Sequence, residues 1–368
     1  MIVFVSNYYN HHQSPFCNEM YKLTKGEFRF IATEPMENER ITMGWGGETA
    51  PFIMENYRQE EECQRLIDEA DVVIFGSAPR RLFEKRLNNG KLTFMYSERP
   101  YKKKFEWYKL PVRIIRNYKR FGRYKNLFLL CSSGYTASDY ALTGTFLRKT
   151  YKWGYFPELK EYSNIDSLIV KKHPTSILWV ARFIDCKHPE TVVKIARLLK
   201  HGGYDFHINM IGNGEMEEVI RKMIAEYQLE DCISMLGTMK PFEVRDYMEK
   251  SQIFLFTSDR NEGWGAVLNE SMNSGCAVVA NKKIGSVPFL IKHGYNGFVY
   301  ETDEQLSDFI KRLLEDRQLC GKLGKNAYQT IKNEWNAQVA AQRLIKLIDG
   351  LKKEDGCDSF ERGPCSRA

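Results

Sequence analysis

Short apolar runs recur along the chain, each bounded by polar or glycine-containing turns and separated from the next by a stretch of helical periodicity. In the first half, residues 2–5, 28–32, 71–76, 92–96 and 127–131 read as buried strands, with helices at 15–24, 58–69 and 80–88. In the second half the strands fall at 177–180, 206–211, 232–236, 253–257, 276–280 and 297–300, with helices at 189–200, 215–227, 241–250, 266–273 and 287–293. Alternation of this kind predicts parallel sheets covered by helices, so the fold class is α/β with two Rossmann-like, doubly wound domains. Such sheets bind ligands outside the carboxyl ends of their strands, which gives weight to whatever follows each run.

At 368 residues the chain exceeds one ordinary core. The stretch Lys171-Lys172-His173-Pro174 interrupts the pattern and places the domain junction there. The expected organisation is a first domain over 1–172, a second over 173–335, an amphipathic helix over 336–353 packing back on the first domain, and a flexible tail over 354–368. Nine cysteines lie singly, without metal-like spacing, which suits buried thiols in a reducing compartment. The first residues run straight into a strand, and no apolar stretch reaches membrane-spanning length. A cytoplasmic protein that does not cross a bilayer is expected.

The net charge of +7 is modest but unevenly placed. Arg99, Lys102, Lys103, Lys104, Lys109, Arg113, Arg116, Lys119, Arg120, Arg123 and Lys125 are opposed in their own stretch by Glu106 alone. Tyr101, Phe105, Trp107, Tyr108, Tyr118, Phe121 and Tyr124 interleave them. Cations mixed with interfacial aromatics suit an anionic membrane surface; nucleic acid, or simply a solvated helix face, are the other readings.

The strand-end loops carry the candidate chemistry. Arg182 and Lys187 follow the strand at 177–180 and are either a surface pair or two cations converging on a diphosphate. Gly212-Asn213-Gly214 turns from strand to helix, a weak signal alone because it lacks the third glycine of a dinucleotide fingerprint. Gly237-Thr238-Met239 could meet a nucleobase. Glu262-Gly263-Trp264-Gly265 and Glu270 frame the turn after the strand at 253–257, with glycines that let backbone approach a ligand. In the first half, His11 and His12 follow the first strand and Glu98 follows the strand at 92–96; each is either a solvated residue or a cleft residue.

Taken together, residues 177–300 resemble the nucleotide-sugar-binding domain of family 4 retaining glycosyltransferases of the two-lobed GT-B fold. The resemblance rests on Arg182 with Lys187, Gly212-Asn213-Gly214, Glu262-Gly263-Trp264-Gly265 with Glu270, and the run from Gly285-Ser286-Val287-Pro288 to Gly294-Tyr295-Asn296-Gly297-Phe298. It implies two domains facing a cleft, the first binding acceptor and the second donor. It implies that Glu270 accepts hydrogen bonds from ribose hydroxyls, Arg182 and Lys187 hold the donor diphosphate, and Glu262 with Gly263 to Gly265 contacts the donor sugar. Gly212, Asn213, Gly214, Met239 and Trp264 would complete the donor site. The first domain departs from the family pattern: Asn7 to His12 replace a Gly-Gly pair, and Glu98 stands near where a histidine is usual.

The implied reaction transfers a sugar with retention from a UDP- or GDP-linked donor to a lipid-linked or oligosaccharide acceptor in surface-glycan assembly. No dedicated protein base is required, since the leaving phosphate helps deprotonate the acceptor. No D-x-D element ends a strand, and two cations can replace a divalent ion, so a metal-independent enzyme without a cofactor is expected. The expected location is the inner face of the cell membrane, bound peripherally, with no nucleic-acid partner. Competing readings are a nucleotide-sugar 2-epimerase of the same fold and a non-catalytic membrane- or nucleic-acid-binding module.

Overall fold

The computed structural model describes residues 1–37, 49–102, 105–353 and 360–368; Lys103 and Lys104 of the basic run lie outside the described residues. The chain divides into two compact units, Met1–Glu158 with Trp335–Ala368, and Leu159–Glu334.

The first unit is built on seven parallel strands, β1 (Ile2–Ser6), β2 (Phe28–Ala32), β3 (Ile53–Glu55), β4 (Val72–Phe75), β5 (Thr93–Ser97), β6 (Leu127–Cys131) and β7 (Thr150–Lys152), in the order β3-β2-β1-β4-β5-β6-β7. Five are the apolar runs read from sequence; β3 and β7, at three residues each, are too short to show a period. Alternation within β1 sends Val3 and Val5 to one face, where they meet Cys63 and Ile67 of the helix Glu60–Glu69. Phe4 points the other way, onto Phe16 and Phe30. The helix Ala337–Lys352 buries Ala340, Ala341, Leu344, Leu347 and Ile348 and lies along the helix Ser14–Leu23.

Part of the tail is not flexible. Residues 360–368 border the edge strand β7, where Cys365 N–H donates to Lys152 O at 2.8 Å and Lys152 N–H donates to Ser366 O at 2.8 Å. An edge strand exposes unpaired backbone groups, and this short segment satisfies them whatever its polarity. Residues 354–359 lie outside the described residues.

The second unit carries β8 (His173–Val180), β9 (His207–Ile211), β10 (Ile233–Met235), β11 (Ser251–Phe256), β12 (Ala277–Asn281) and β13 (Phe298–Tyr300), all parallel, in the order β10-β9-β8-β11-β12-β13. The unit begins at Leu159 rather than at 173. The reason is local: the helix Ile165–Lys171 packs on the helix Arg317–Asn333, Lys160 N–H donates to Asn273 Oδ1 at 2.9 Å, and Lys172 Nζ is buried against the carbonyls of Met248 and Ser251. In this sheet the strand order reverses between β8 and β11, and the register Leu255↔Trp179 and Val180↔Ile211 brings the carboxyl ends of β8, β9 and β11 level. A switch point of this kind leaves a crevice at the strand ends, because neighbouring connections depart to opposite faces.

Candidate functional site

Three loops meet at that switch point: one after β8 holding Arg182, Lys187 and His188, one after β9 holding Gly212 to Gly214, and one after β11 holding Asp259 to Gly265. They are stitched together by backbone. Phe183 N–H donates to Asn213 O at 2.7 Å, Met216 N–H to Phe183 O at 2.9 Å and Asp259 N–H to Cys186 O at 3.0 Å. Below them, Trp179 Nε1 donates to Thr257 Oγ1 at 2.8 Å, and Thr257 Oγ1 donates to Lys187 O at 2.6 Å. This buried relay fixes where Lys187 leaves the sheet.

Gly212 and Gly214 are glycines for this stitching. Both have positive φ, +137° and +154°, and a Cβ would stand 1.9 Å from Ala181 O at Gly212 and 2.4 Å from Phe183 O at Gly214. Their first service is therefore to the loop that bears Arg182.

Lys187 Nζ donates to Glu262 Oε2, and Ser258 Oγ donates to the same oxygen at 3.0 Å. The two charged side chains are 16% and 13% exposed, so the pair is largely desolvated yet still reachable. Their spacing predicts matching strand ends; the fold makes them direct partners. Arg182 stands apart, exposed, with no hydrogen-bond or ion-pair partner among the described residues. Glu270 sits on the helix Val267–Asn273, half-buried, and no group among the described residues donates to its carboxylate. Burial raises its pKa above the ordinary carboxylate range, an effect the Arg245 cation partly opposes. An arginine and a carboxylate without partners among the described residues thus accompany a part-buried Lys–Glu pair on one unit.

Trp264 does not offer its side chain to a ligand. It is fully buried, and its Nε1 donates to Asn269 Oδ1 at 2.8 Å. A tryptophan between two glycines reads as exposed, but the turn folds it inward beneath the loop. Gly265, at φ +81°, is required because a Cβ would lie 2.3 Å from Phe256 Cζ; Gly263 is buried. Met239, half-exposed, follows the outermost strand β10; its loop reaches the β9 loop through Gly212 N–H donating to Gly237 O at 2.8 Å.

His188 was not singled out from sequence. It has positive φ, +51°, at the start of the helix Pro189–His201. Its Nδ1 lies 2.8 Å from Glu190 Oε1 and its Nε2 3.7 Å from Asp259 Oδ2, so it bridges the β8 and β11 loops. The Glu190 hydrogen bond raises its pKa above the ordinary histidine value. The signal available was a histidine immediately before a helix-starting proline, with an acid two positions on.

On the first unit, considered by itself, His11, His12 and Glu98 gather around one tyrosine. The His11 and His12 rings are 3.9 Å apart, and His12 stacks toward Tyr155 at 6.2 Å. Tyr155 OH donates to Glu98 Oε1 at 3.1 Å, and Lys102 Nζ donates to Glu98 Oε2 at 2.7 Å. Glu98 is thus neither a bare solvated acid nor unpaired. Desolvation, helped by His11, lowers the His12 pKa to about 3, so its ring is neutral. Among the described residues no group of three or more His, Cys, Asp or Glu could hold a metal, and no helix is long and apolar enough to cross a membrane.

Residues 163–330 match the family described as "Glycosyl transferases group 1". The amylovoran biosynthesis glycosyltransferase AmsK of Erwinia amylovora is 30% identical over 185 residues, 48% of this chain and 45% of AmsK. The N-acetylgalactosamine-N,N'-diacetylbacillosaminyl-diphospho-undecaprenol 4-alpha-N-acetylgalactosaminyltransferase of Campylobacter jejuni is 29% identical over 177 residues, 47% of this chain and 46% of that protein. The chain spans less than half the length of these curated relatives. The structure of Anabaena HepE in complex with UDP superposes with a TM-score of 0.70 at 14% identity, over 95% of this chain and 99% of HepE. The two parallel-sheet α/β units thus have the GT-B fold, and the match to the glycosyl transferases group 1 model falls within the second of them.

Proposed function

We propose that this protein is a metal-independent, retaining glycosyltransferase that moves a sugar from a nucleotide-sugar donor to a lipid-linked or oligosaccharide acceptor in surface-glycan biosynthesis. The observation that carries the reading is the pairing of Lys187 with Glu262, on loops at the ends of strands that flank a switch point, with Arg182 on the same β8 loop and without a partner among the described residues. A donor diphosphate brings two negative charges. Arg182 supplies a planar fork for one phosphate, while Lys187, fixed through its carbonyl by Thr257, supplies a point charge for the other. As the nucleoside diphosphate departs, its charge grows, and each cation aimed at it contributes on the order of 3 kcal/mol to the transition state. These two cations do the work that a divalent ion does elsewhere.

Glu262 shares Lys187 with the leaving group and faces the same edge, which suits contact with the sugar being transferred. Glu270 is assigned to the ribose: its carboxylate carries no donor of its own, and two hydroxyl hydrogen bonds would restore what burial takes away. The backbone of Gly263 to Gly265, rather than the Trp264 ring, completes that wall. The first unit is the acceptor-binding domain, with His11, His12 and Glu98 around Tyr155 as its candidate contacts. The UDP held by HepE favours a UDP-linked donor, and the undecaprenyl diphosphate in the Campylobacter relative's name favours a lipid-linked acceptor, hence a peripheral place on the inner membrane face.

The test is a thermal-shift comparison of UDP, GDP, dTDP and ADP with the native chain and the Glu270→Ala variant. The reading expects a shift with one nucleotide that the substitution removes. A shift untouched by Glu270→Ala counts against the ribose assignment. Loss of transfer in EDTA with rescue by magnesium sinks metal independence, and an epimer formed from donor alone replaces transfer by epimerisation.

A further inference from the structure

The stretch from Trp107 to Lys125 is built inside out. A 3-10 turn at Trp107–Lys109 runs into the α-helix Leu110–Asn117 and a π-turn at Tyr118–Gly122. A surface helix ordinarily turns its apolar stripe to the core. Here Tyr108, Val112 and Ile115, at the helical spacing i, i+4, i+7, point to solvent and are 76%, 68% and 58% exposed; Trp107 and Tyr118 flank them, also exposed. The inward face, which begins at the half-buried Leu110, is anchored by polar groups instead. Asn117 is buried and its Nδ2 donates to Thr143 Oγ1 at 3.0 Å, while the Arg113 guanidinium lies over the Tyr101 and Phe105 rings at 5.0 and 4.7 Å and pairs with Glu106 at 3.0 Å. Arg80 Nη1 donates to Arg120 O, fastening the π-turn to the body of the unit. The orientation is therefore fixed by specific bonds, and the outward apolar stripe is a consequence.

We infer that this element docks the protein on an anionic lipid bilayer, with Val112 and Ile115 in the acyl boundary and the Trp107, Tyr108 and Tyr118 rings at headgroup level. Charge decides between occupants. Arg116, Lys119, Arg120, Arg123 and Lys125 are exposed and have no acidic partner among the described residues, so the apolar stripe is bordered by cations. A second copy of the chain would set those cations against each other. A nucleic acid would stack on aromatic rings but gains nothing from exposed valine and isoleucine. An anionic membrane interface accepts aliphatic side chains, interfacial aromatics and cations together. Not all of the basic run takes part: Arg99 is drawn inward by a two-point ion pair with Asp139 and is 10% exposed. The inference rests on the proposed function for its purpose, since a lipid-linked acceptor is met at a membrane, but its test needs no sugar transfer.

The experiment is flotation of the full chain with vesicles of phosphatidylcholine alone and of phosphatidylcholine mixed with phosphatidylglycerol, at about 0.15 M salt, where exposed charges still act over a Debye length of about 8 Å. The native chain should float with the anionic vesicles and not with the neutral ones. Arg116→Gln, Lys119→Gln and Arg120→Gln should each lower partitioning about fivefold. Val112→Ser combined with Ile115→Ser should lower it about tenfold. All these positions are exposed, so melting temperature should stay at the native value, which separates loss of docking from loss of fold. Failure of the native chain to float, or cation variants that float as well as native, overturns the inference. Retention of single-stranded RNA with no flotation overturns it in favour of a nucleic-acid surface. Flotation without any nucleotide-induced thermal shift removes the transferase reading and leaves the docking element standing.

Discussion

Replacing Lys187 by Met removes the cation from a pair whose members are 16% and 13% exposed while keeping most of the side-chain length. Among the described residues, Glu262 would keep only the Ser258 hydroxyl, at 3.0 Å, as a donor. Breaking one side of a buried pair costs about 3–5 kcal/mol, and the residual exposure here puts the expected loss near the lower end, about 3 kcal/mol. For a domain of roughly 150–250 residues each kcal/mol moves the melting temperature by about 2–4 °C, so Lys187→Met should melt about 6–12 °C below the native chain. The double variant Lys187→Met with Glu262→Gln should recover part of that loss, because the neutral amide no longer needs a cation and still accepts from Ser258. Nucleoside diphosphate affinity should fall roughly 10–150-fold in both variants, the worth of about 1.5–3 kcal/mol for one charge-assisted hydrogen bond. Differential scanning fluorimetry with and without UDP reads both effects. If Lys187→Met melts within about 1 °C of native and binds nucleotide unchanged, the pair neither supports the loops nor meets the diphosphate, and the assignment fails.

Three further outcomes follow from the same loops. Trp264→Phe loses the Asn269 hydrogen bond inside the core and should cost about 1–3 kcal/mol of stability in urea denaturation while leaving nucleotide affinity within a factor of two or so; a loss of affinity without a loss of stability would return the ring to the ligand. Gly212→Ala forces a methyl to within 1.9 Å of Ala181 O and should destabilise by about 3 kcal/mol or more, with nucleotide binding lost as the Arg182 loop moves. His188 has a raised pKa, so its contribution is complete below the unfolded value of about 6.5 and is lost as pH climbs through the folded value; the stability gap between native and His188→Gln should therefore shrink as pH rises above about 6.5, as read by melting at each pH. His12 behaves oppositely. Its folded pKa of about 3 means the unfolded chain takes a proton first as pH falls below about 6.5, so acidification should cost up to about 1.4 kcal/mol per pH unit, and His12→Gln should flatten that slope.

What the sequence made legible followed from locality. A buried strand needs only its own apolar run, so β1, β2, β4, β5, β6 and the six strands of the second sheet could be located from periodicity, and Arg182, Lys187, Glu262 and Glu270 could be assigned to strand ends. Features set by contact between distant segments could not. Lys187 and Glu262 are 75 positions apart and become partners only through the register of β8 against β11. The burial of Trp264, the duty of Gly212 to Ala181, and the seating of residues 360–368 on the edge of β7 are likewise contacts between segments. The basic run shows the same limit in its sharpest form. Its charges and aromatics are legible in the sequence, but the direction in which its stripe of apolar positions points is not. That stripe turns outward because Asn117 and Arg113 have better partners inside, in Thr143, Glu106 and two aromatic rings, than Val112 and Ile115 do. An amphipathic pattern therefore fixes which residues share a face, while the polar bonds of the opposite face fix where that face points. In a protein whose proposed acceptor is lipid-linked, the second of these facts is what the proposed membrane docking rests on.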